Sequence, residues 1–282
     1  MGAPRPRGRA ALGARLTTAP RQRLLYGRRR GRRLRPGQQS LQAELLPKLG
    51  FEVPETGTLD PGTLFNSIPL PSGERLGEGA GRQAGEGSST KPPHPNPLPD
   101  GERERKREYW LEIGFGAGEH LAWQAAQHPE VGFLGAEVFE NGVVKLLAEI
   151  RRQDLANIRI LVDDARLLLA ALPDRSLDRA FILFPDPWPK QRHHKRRMVS
   201  QATLDALART LKPGAELRLA TDDIGYLRWM LELAPVHEAF EWLARGPADW
   251  RERPEDWPQT RYEQKAIAAG RVPYFLRLRR RS

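Results

Sequence analysis

The stretch from Phe184 to Arg197 reads Phe-Pro-Asp-Pro-Trp-Pro-Lys-Gln-Arg-His-His-Lys-Arg-Arg. Prolines on both sides of Asp186 restrict the backbone there, so the carboxylate is offered from a stiff loop. Trp188 supplies a flat face that can stack on a base or brace the loop. Lys190, Arg192, His193, His194, Lys195, Arg196 and Arg197 follow at once and form a phosphate-contact footprint. Runs of charge are usually solvated faces. One that directly follows a proline-caged acid is better read as part of a site.

Acids recur at four further places along the chain. Glu112 precedes Gly114, Gly116 and Gly118, a spacing that permits a tight turn and close backbone approach to a ligand. That turn serves nicotinamide dinucleotides, flavins and S-adenosylmethionine alike. A carboxylate in front of it suits a ligand that carries an amino group better than a bare phosphate. Glu137 lies 25 residues beyond Glu112, where an acid accepts hydrogen bonds from a ribose diol. Asp163-Asp164-Ala165 can bracket an adenine ring or cap a helix. Thr221-Asp222-Asp223 has the same two readings, with Asp222 a candidate for substrate contact.

These groups meet only if the chain folds as an α/β layer. Short apolar runs predict strands at Tyr109–Ile113, Phe133–Val138, Ile158–Val162, Leu177–Phe184, Glu216–Ala220 and Tyr274–Arg279. Helical spacing fills 140–153 (Val143, Leu147, Ile150) and 200–211 (Leu204, Leu207, Ala208, Leu211). Lys212-Pro213-Gly214 stops the second of these, and a further helix is expected from Gly225 to Ala234. Each acid then falls at the end of a strand or just after it, at the carboxyl edge where open α/β sheets bind ligands.

Charge is unevenly distributed. The chain has 282 residues and a net charge of +11, yet residues 1–50 carry 13 basic side chains and one acid, Glu44. The rest is close to neutral. A mobile basic arm is expected over 1–37, with Arg28, Arg29 and Arg30 in its later part; it seeks a polyanion, and nucleic acid is the first choice. A short helix and extended lead-in are expected over 38–65. Residues 66–107 form a low-complexity insertion, in which Pro69–Arg75 recurs as Pro97–Arg103. Cysteine is absent, which excludes disulfides and thiol chemistry. The six histidines lack metal-ligand spacing, so no metal is assigned. No apolar run approaches a membrane span.

Taken together, Glu112–Gly118, Glu137, Asp164, Phe184–Arg197, Thr221-Asp222 and Thr260-Arg261-Tyr262-Glu263 resemble the bacterial tRNA (guanine-N7-)-methyltransferase family. The basic segment Tyr26–Arg35 resembles that family's N-terminal segment. The resemblance implies a Rossmann-like, seven-stranded S-adenosylmethionine-dependent fold over 108–282, with a reversed final strand and a basic N-terminal arm. It implies methyl transfer from S-adenosyl-L-methionine to N7 of a guanine in the tRNA variable loop. Carried over by motif, Glu112, Gly114, Gly116, Gly118, Glu137, Asp164 and Asp186 are expected at the cofactor, with Asp186 in the catalytic role. Lys190, Asp222, Thr260, Arg261, Tyr262 and Glu263 are expected at the substrate. Arg192, His193, His194, Lys195, Arg196, Arg197, Arg28, Arg29 and Arg30 are expected on RNA. The implied protein is cytoplasmic, a monomer or homodimer, with tRNA as partner and no membrane. A nicotinamide-dependent oxidoreductase shares the glycine turn and Glu137 but leaves the basic run unexplained. A methyltransferase for exocyclic amines places its aromatic differently from Asp186-Pro187-Trp188.

Overall fold

A computed structural model describes residues 26, 27, 29–66 and 107–282. In chain order the elements are α1 (Pro36–Leu49), β1 (Tyr109–Ile113), α2 (Glu119–Gln127), β2 (Gly132–Ala136), α3 (Glu140–Gln153), β3 (Ile158–Leu161), α4 (Ala165–Ala171), β4 (Leu177–Leu183), α5 (Gln201–Thr210), β5 (Leu211–Thr221), α6 (Ile224–Leu233), β6 (Phe240–Trp242), α7 (Ala248–Arg251), α8 (Arg261–Ala268) and β7 (Tyr274–Arg280). Seven strands form one sheet in the order β3-β2-β1-β4-β5-β7-β6. The first five in that order run parallel, and β7 is antiparallel to both β5 and β6. The expected seven-stranded α/β fold with its reversed last strand is what forms.

Parallel strands are covered on both faces, which is why β1 to β4 are nearly continuous apolar runs. Leu111 and Ile113 of β1 pack into one core with Leu204, Leu207, Leu227 and Met230. Trp110 points to the other, with Leu121, Val143 and Leu147. Side chains alternate along a strand, so Glu112 shares the face of Trp110 and is buried under α2. The strand order reverses between β1, which leads to β2, and β4, which leads to β5. That reversal opens a crevice at the carboxyl ends, with Ile113 in register with both Ala136 and Ile182.

Strand ends differ from the sequence expectation by a residue or two, for local reasons. β2 stops at Ala136 because Glu137 takes the next two backbone N–H groups onto its own carboxylate. β4 stops at Leu183 because Phe184 turns into the left-handed region, with φ of 49°. β5 begins at Leu211, earlier than expected. Lys212-Pro213-Gly214 ends α5 as foreseen but then lies within an irregularity of the β4–β5 pairing, between Leu177↔Leu211 and Arg179↔Glu216. Pro213 is tolerated there because the regular ladder is interrupted. The short helices α2 and α4 carry too few turns to show a period and were not foreseen.

Part of the arm that was expected to be mobile is held in place. Residues 1–25 and Arg28 lie outside the described residues, but Arg29 to Arg35 pack on the first turn of α3. Glu140 N–H donates to the Arg29 carbonyl (2.9 Å), Gly31 N–H to Asn141 Oδ1 (2.7 Å), and Asn141 Nδ2 to the Arg32 carbonyl (2.7 Å). The lead-in likewise belongs to the body: Gly50 bridges Ile160 on the outer edge of β3, and Phe51 N–H donates to the Ile160 carbonyl (3.1 Å). Such cover removes an open edge from the sheet.

Of the expected insertion, 67–106 lies outside the described residues, but its two flanks meet. Phe65 is buried, its ring 5.8 Å from that of Tyr109 and under the guanidinium of Arg107 at 5.7 Å. The chain therefore leaves and re-enters the fold at one place. Replacing the 40 residues 67–106 by ten of Gly and Ser shortens the closed loop by two halvings. We expect a gain of about 1 kcal/mol, seen as a melting temperature higher by about 2–4 °C. A lower melting temperature would show that the segment supports the fold.

Candidate active site

A cavity of about 360 Å³ sits over the crevice between β1 and β4. Its wall includes Glu112, Gly114, Gly116, Glu137, Asp164 and Asp186, so the acids that sequence spacing singled out converge on one pocket.

The glycine turn after β1 has positive φ at Gly114, Gly116 and Gly118 (73°, 57° and 76°). The need is clearest at Gly116. Its φ suits glycine, and an added Cβ would come within 3.0 Å of the Tyr262 ring. From the other side, α3 comes so near that a Cβ on Gly142 would stand 2.1 Å from the Gly116 carbonyl oxygen. Gly118 does not itself line the pocket; it starts α2.

Glu137 fastens this turn to the end of β2. Its Oε2 accepts from Gly116 N–H (2.8 Å), and its Oε1 from Val138 N–H (2.7 Å) and Phe139 N–H (2.9 Å). Burial pushes its carboxyl above the usual carboxylate range. The three N–H groups pull the other way, and the charge of Asp186 adds to the upward push.

Glu112 is buried, and its Oε2 lies 2.7 Å from His120 Nδ1 of α2. The far nitrogen of that ring is 3.3 Å from Gln124 Nε2, which also donates to the Asp256 carbonyl (3.0 Å). His120 was not foreseen. The available signal was its place in the first turn of the helix that follows the glycine turn, where the chain doubles back over Glu112. Asp164 caps α4 by accepting from Arg166 N–H (3.0 Å) and also borders the pocket, so the helix cap lies at the pocket's edge.

Asp186 is exposed on the rim. Its loop is bounded by two non-glycine residues with left-handed backbone, Phe184 and Trp188 (φ 49° and 44°). Each such residue costs about 1–2 kcal/mol, so the loop must be held from outside. Phe184 N–H donates to the Ala220 carbonyl of β5 (2.8 Å), and Arg197 Nε donates to the Pro187 carbonyl (2.8 Å).

The basic run divides. Lys190, Arg192 and Lys195 face solvent, the last two on a single 3₁₀ segment over Gln191–Arg196 and Lys190 just before it. Arg196 lies over the rings of Trp188 (4.9 Å) and Tyr26 (5.7 Å) and borders the pocket. His193 packs edge-on against Trp188 and His194 against Trp229. Desolvation and the charges of Arg196, Arg192, Lys190 and Lys195 hold the His193 imidazole below its ordinary pKa, so it is a poor cation for phosphate. Arg197 is only 4% exposed, which corrects the expectation that the whole run faces RNA.

The substrate set divides in the same way. Thr260 and Tyr262 border the pocket. Thr260 also caps α8 by accepting from Glu263 N–H (3.3 Å). Arg261 is not on the wall but pairs with Glu119, which is, and Glu263 is buried against Arg253 (3.2 Å), with burial raising its carboxyl pKa. Asp222 pairs with Arg271 (2.8 Å) while its neighbour Asp223 caps α6, and Lys190 stays outside the cavity wall. Sequence reasoning also missed Arg166 and Met198 on the wall, and the placing of Tyr26 there. Among the described residues no group of three or more His, Asp or Glu side chains is placed to hold a metal ion, and no helix is long and apolar enough to cross a membrane.

The family model described as "Putative methyltransferase" matches residues 106–276. The tRNA (guanine-N(7)-)-methyltransferase of Rhodospirillum rubrum is 47% identical over 91% of this chain and 87% of its own length. This chain belongs to the tRNA (guanine-N(7)-)-methyltransferase family. Another member, from Paracoccus denitrificans, is 42% identical over 93% of this chain and 97% of its own. Among solved structures, an rRNA methylase from Streptococcus thermophilus aligns with a TM-score of 0.42 and 13% identity, over 62% of this chain and 88% of that one.

For a tRNA (guanine-N(7)-)-methyltransferase family member the pocket has a suitable donor set for S-adenosylmethionine. Glu112 would offer a carboxylate to an amino group, and Glu137, with three of about four lone pairs taken by backbone N–H groups, would offer the one left on Oε2 to a ribose hydroxyl. The side-chain-free edge at Gly114 and Gly116 admits a ligand close to the backbone. Phe115, Val138, Ala165 and Leu183 supply apolar wall.

As the solution is acidified, Glu137 takes up its proton at a higher pH than an ordinary glutamate. Affinity for S-adenosylmethionine should therefore fall as the pH drops through that raised pKa. Glu137→Gln cannot titrate and sets an amide N–H₂ against a backbone N–H. Its affinity should be about 10-fold lower and flat over the same pH interval, as read by calorimetry.

Proposed function

We propose that this chain transfers a methyl group from S-adenosylmethionine to N7 of a guanine in the variable loop of tRNA. The observation that carries this reading is the place of Asp186, on the rim of the pocket that Glu112 and Glu137 line.

Guanine N7 has a lone pair and no proton, so its alkylation requires no strong base. It requires position and a favourable field. Glu112, Glu137 and the edges of Gly114, Gly116 and Asp164 would hold S-adenosylmethionine, whose sulfonium would supply the methyl group as its S–CH3 bond breaks and leave as the neutral thioether S-adenosyl-L-homocysteine. Asp186 accepts hydrogen bonds from the guanine N1–H and exocyclic amine. That orients the ring and pushes electron density toward N7. Thr260 and Tyr262, which also border the pocket, close it around the base. N7 in folded RNA commonly takes part in tertiary pairing, so the base must be drawn out at a cost of a few kcal/mol. Phosphate contacts from Arg29, Arg30, Lys190, Arg192 and Lys195 offset that cost.

Incubation with labelled S-adenosylmethionine and total tRNA, followed by nucleoside digestion, should yield 7-methylguanosine. Label on an exocyclic amine would overturn the reading. Asp186→Asn should lower kcat by about 100-fold, the loss expected for charge-assisted hydrogen bonds worth about 3 kcal/mol, with tRNA affinity retained. Full turnover in that variant would remove Asp186 from the catalytic role. The logarithm of tRNA affinity should fall steeply with the logarithm of salt concentration, and each exposed cation removed should reduce the slope by about 0.7–0.9. A flat response would remove the arm and the basic run from binding.

A further inference from the structure

Arg197 is the last residue of the basic run and the one the fold withdraws from solvent. Its guanidinium carbon lies 5.0 Å from the ring centre of Tyr226 and 5.0 Å from that of Trp229, both on α6. The same two rings grip the backbone two residues on. Val199 N–H donates to the Tyr226 hydroxyl (3.0 Å), and Trp229 Nε1 donates to the Val199 carbonyl (2.7 Å). From this seat Arg197 Nε reaches forward to the Pro187 carbonyl at 2.8 Å, next to Asp186. A buried cation loses hydration, so it persists only where other contacts replace the lost water. Here two aromatic faces and a carbonyl do so, and none of them is a nucleic acid.

Pro187 is bordered by left-handed Trp188, and its neighbours cannot hold the turn by ordinary backbone pairing. We infer that Arg197 is a positioning residue, which locks the Pro185–Pro189 loop to α6 and so fixes the Asp186 carboxylate against the target base, rather than a phosphate contact. The path runs from α6 through the Tyr226 and Trp229 rings to Arg197, and from there to Pro187. Tyr226 stands within the field of Asp186, whose charge contributes, after burial, to a phenol pushed up to about 12. Arginine suits the seat because its flat, delocalised head stacks between rings while its Nε–H remains free to donate sideways. Lysine has no equivalent of that fork.

The inference rests on the methyltransferase reading for its effect on turnover, but not for its effect on the loop. The test uses the full chain with Arg197→Lys and, as a charge-preserving companion, Trp229→Phe, which removes the donor to Val199. Arg192→Ala is the comparison for a true phosphate contact. Amide hydrogen exchange over 184–199 should speed by about 10-fold or more in both brace variants and not in Arg192→Ala. With tRNA, kcat should fall by about 10- to 100-fold in the brace variants, while KM for tRNA and the salt slope of binding match the parent. Arg192→Ala should instead lower the slope by about 0.7–0.9. Calorimetric binding of S-adenosylmethionine confirms that each variant is folded. A reduced salt slope with kcat intact in Arg197→Lys, or unchanged exchange in Trp229→Phe, would overturn the inference. If the parent chain leaves tRNA unmethylated, the functional reading fails, and the exchange result still decides whether the brace exists.

Discussion

The pocket depends on one carboxylate that bonds backward into its own fold. Glu137 gathers N–H groups from Gly116, Val138 and Phe139, and so joins the turns after β1 and β2 into a single wall. Turns that follow neighbouring parallel strands have no ladder to hold them together, because the ladder ends where they begin. An acid at that point supplies acceptors where the sheet has run out of them. Burial of this carboxylate favours its neutral form, while the three N–H groups favour the charged one.

The second wall is built on a different principle. The loop of Asp186 has no acid to gather its amides, and it contains three prolines that lack them. Its left-handed residues are stabilised by contacts from β5 and α6, through Phe184 N–H and Arg197. One wall is therefore held by backbone donors and the other by a buried cation. The cavity lies between a stiff turn and a loop whose geometry is set from a neighbouring element.

Sequence spacing made one side of this arrangement readable and left the other obscure. The acids at the strand ends were legible because strands have a period of two and open α/β sheets bind at one edge. Glu112, Glu137 and Asp186 could each be placed from position in the chain alone. What failed was the sorting of adjacent residues by direction. Arg196 and Arg197 have the same chemistry in a string of letters, yet Tyr226 and Trp229, some thirty residues on, take one indoors and leave the other at the cavity. Tyr262 and Glu263 are separated by one helical step of about 100°, and the Thr260 cap decides which of the two faces the pocket. His120 gave no signal as a letter. It is meaningful only once α2 is known to fold back over β1.

Phe65 has a further consequence, for the order in which the molecule assembles. All seven strands derive from residues after 107, so the sheet can form from one contiguous piece, while Phe65 and Leu41 complete its two cores from the amino-terminal side. The entropic cost of joining residues 29–66 to that piece rises only with the logarithm of the number of residues between them. A longer connection would therefore delay the closing of the cores without slowing the pairing of the strands.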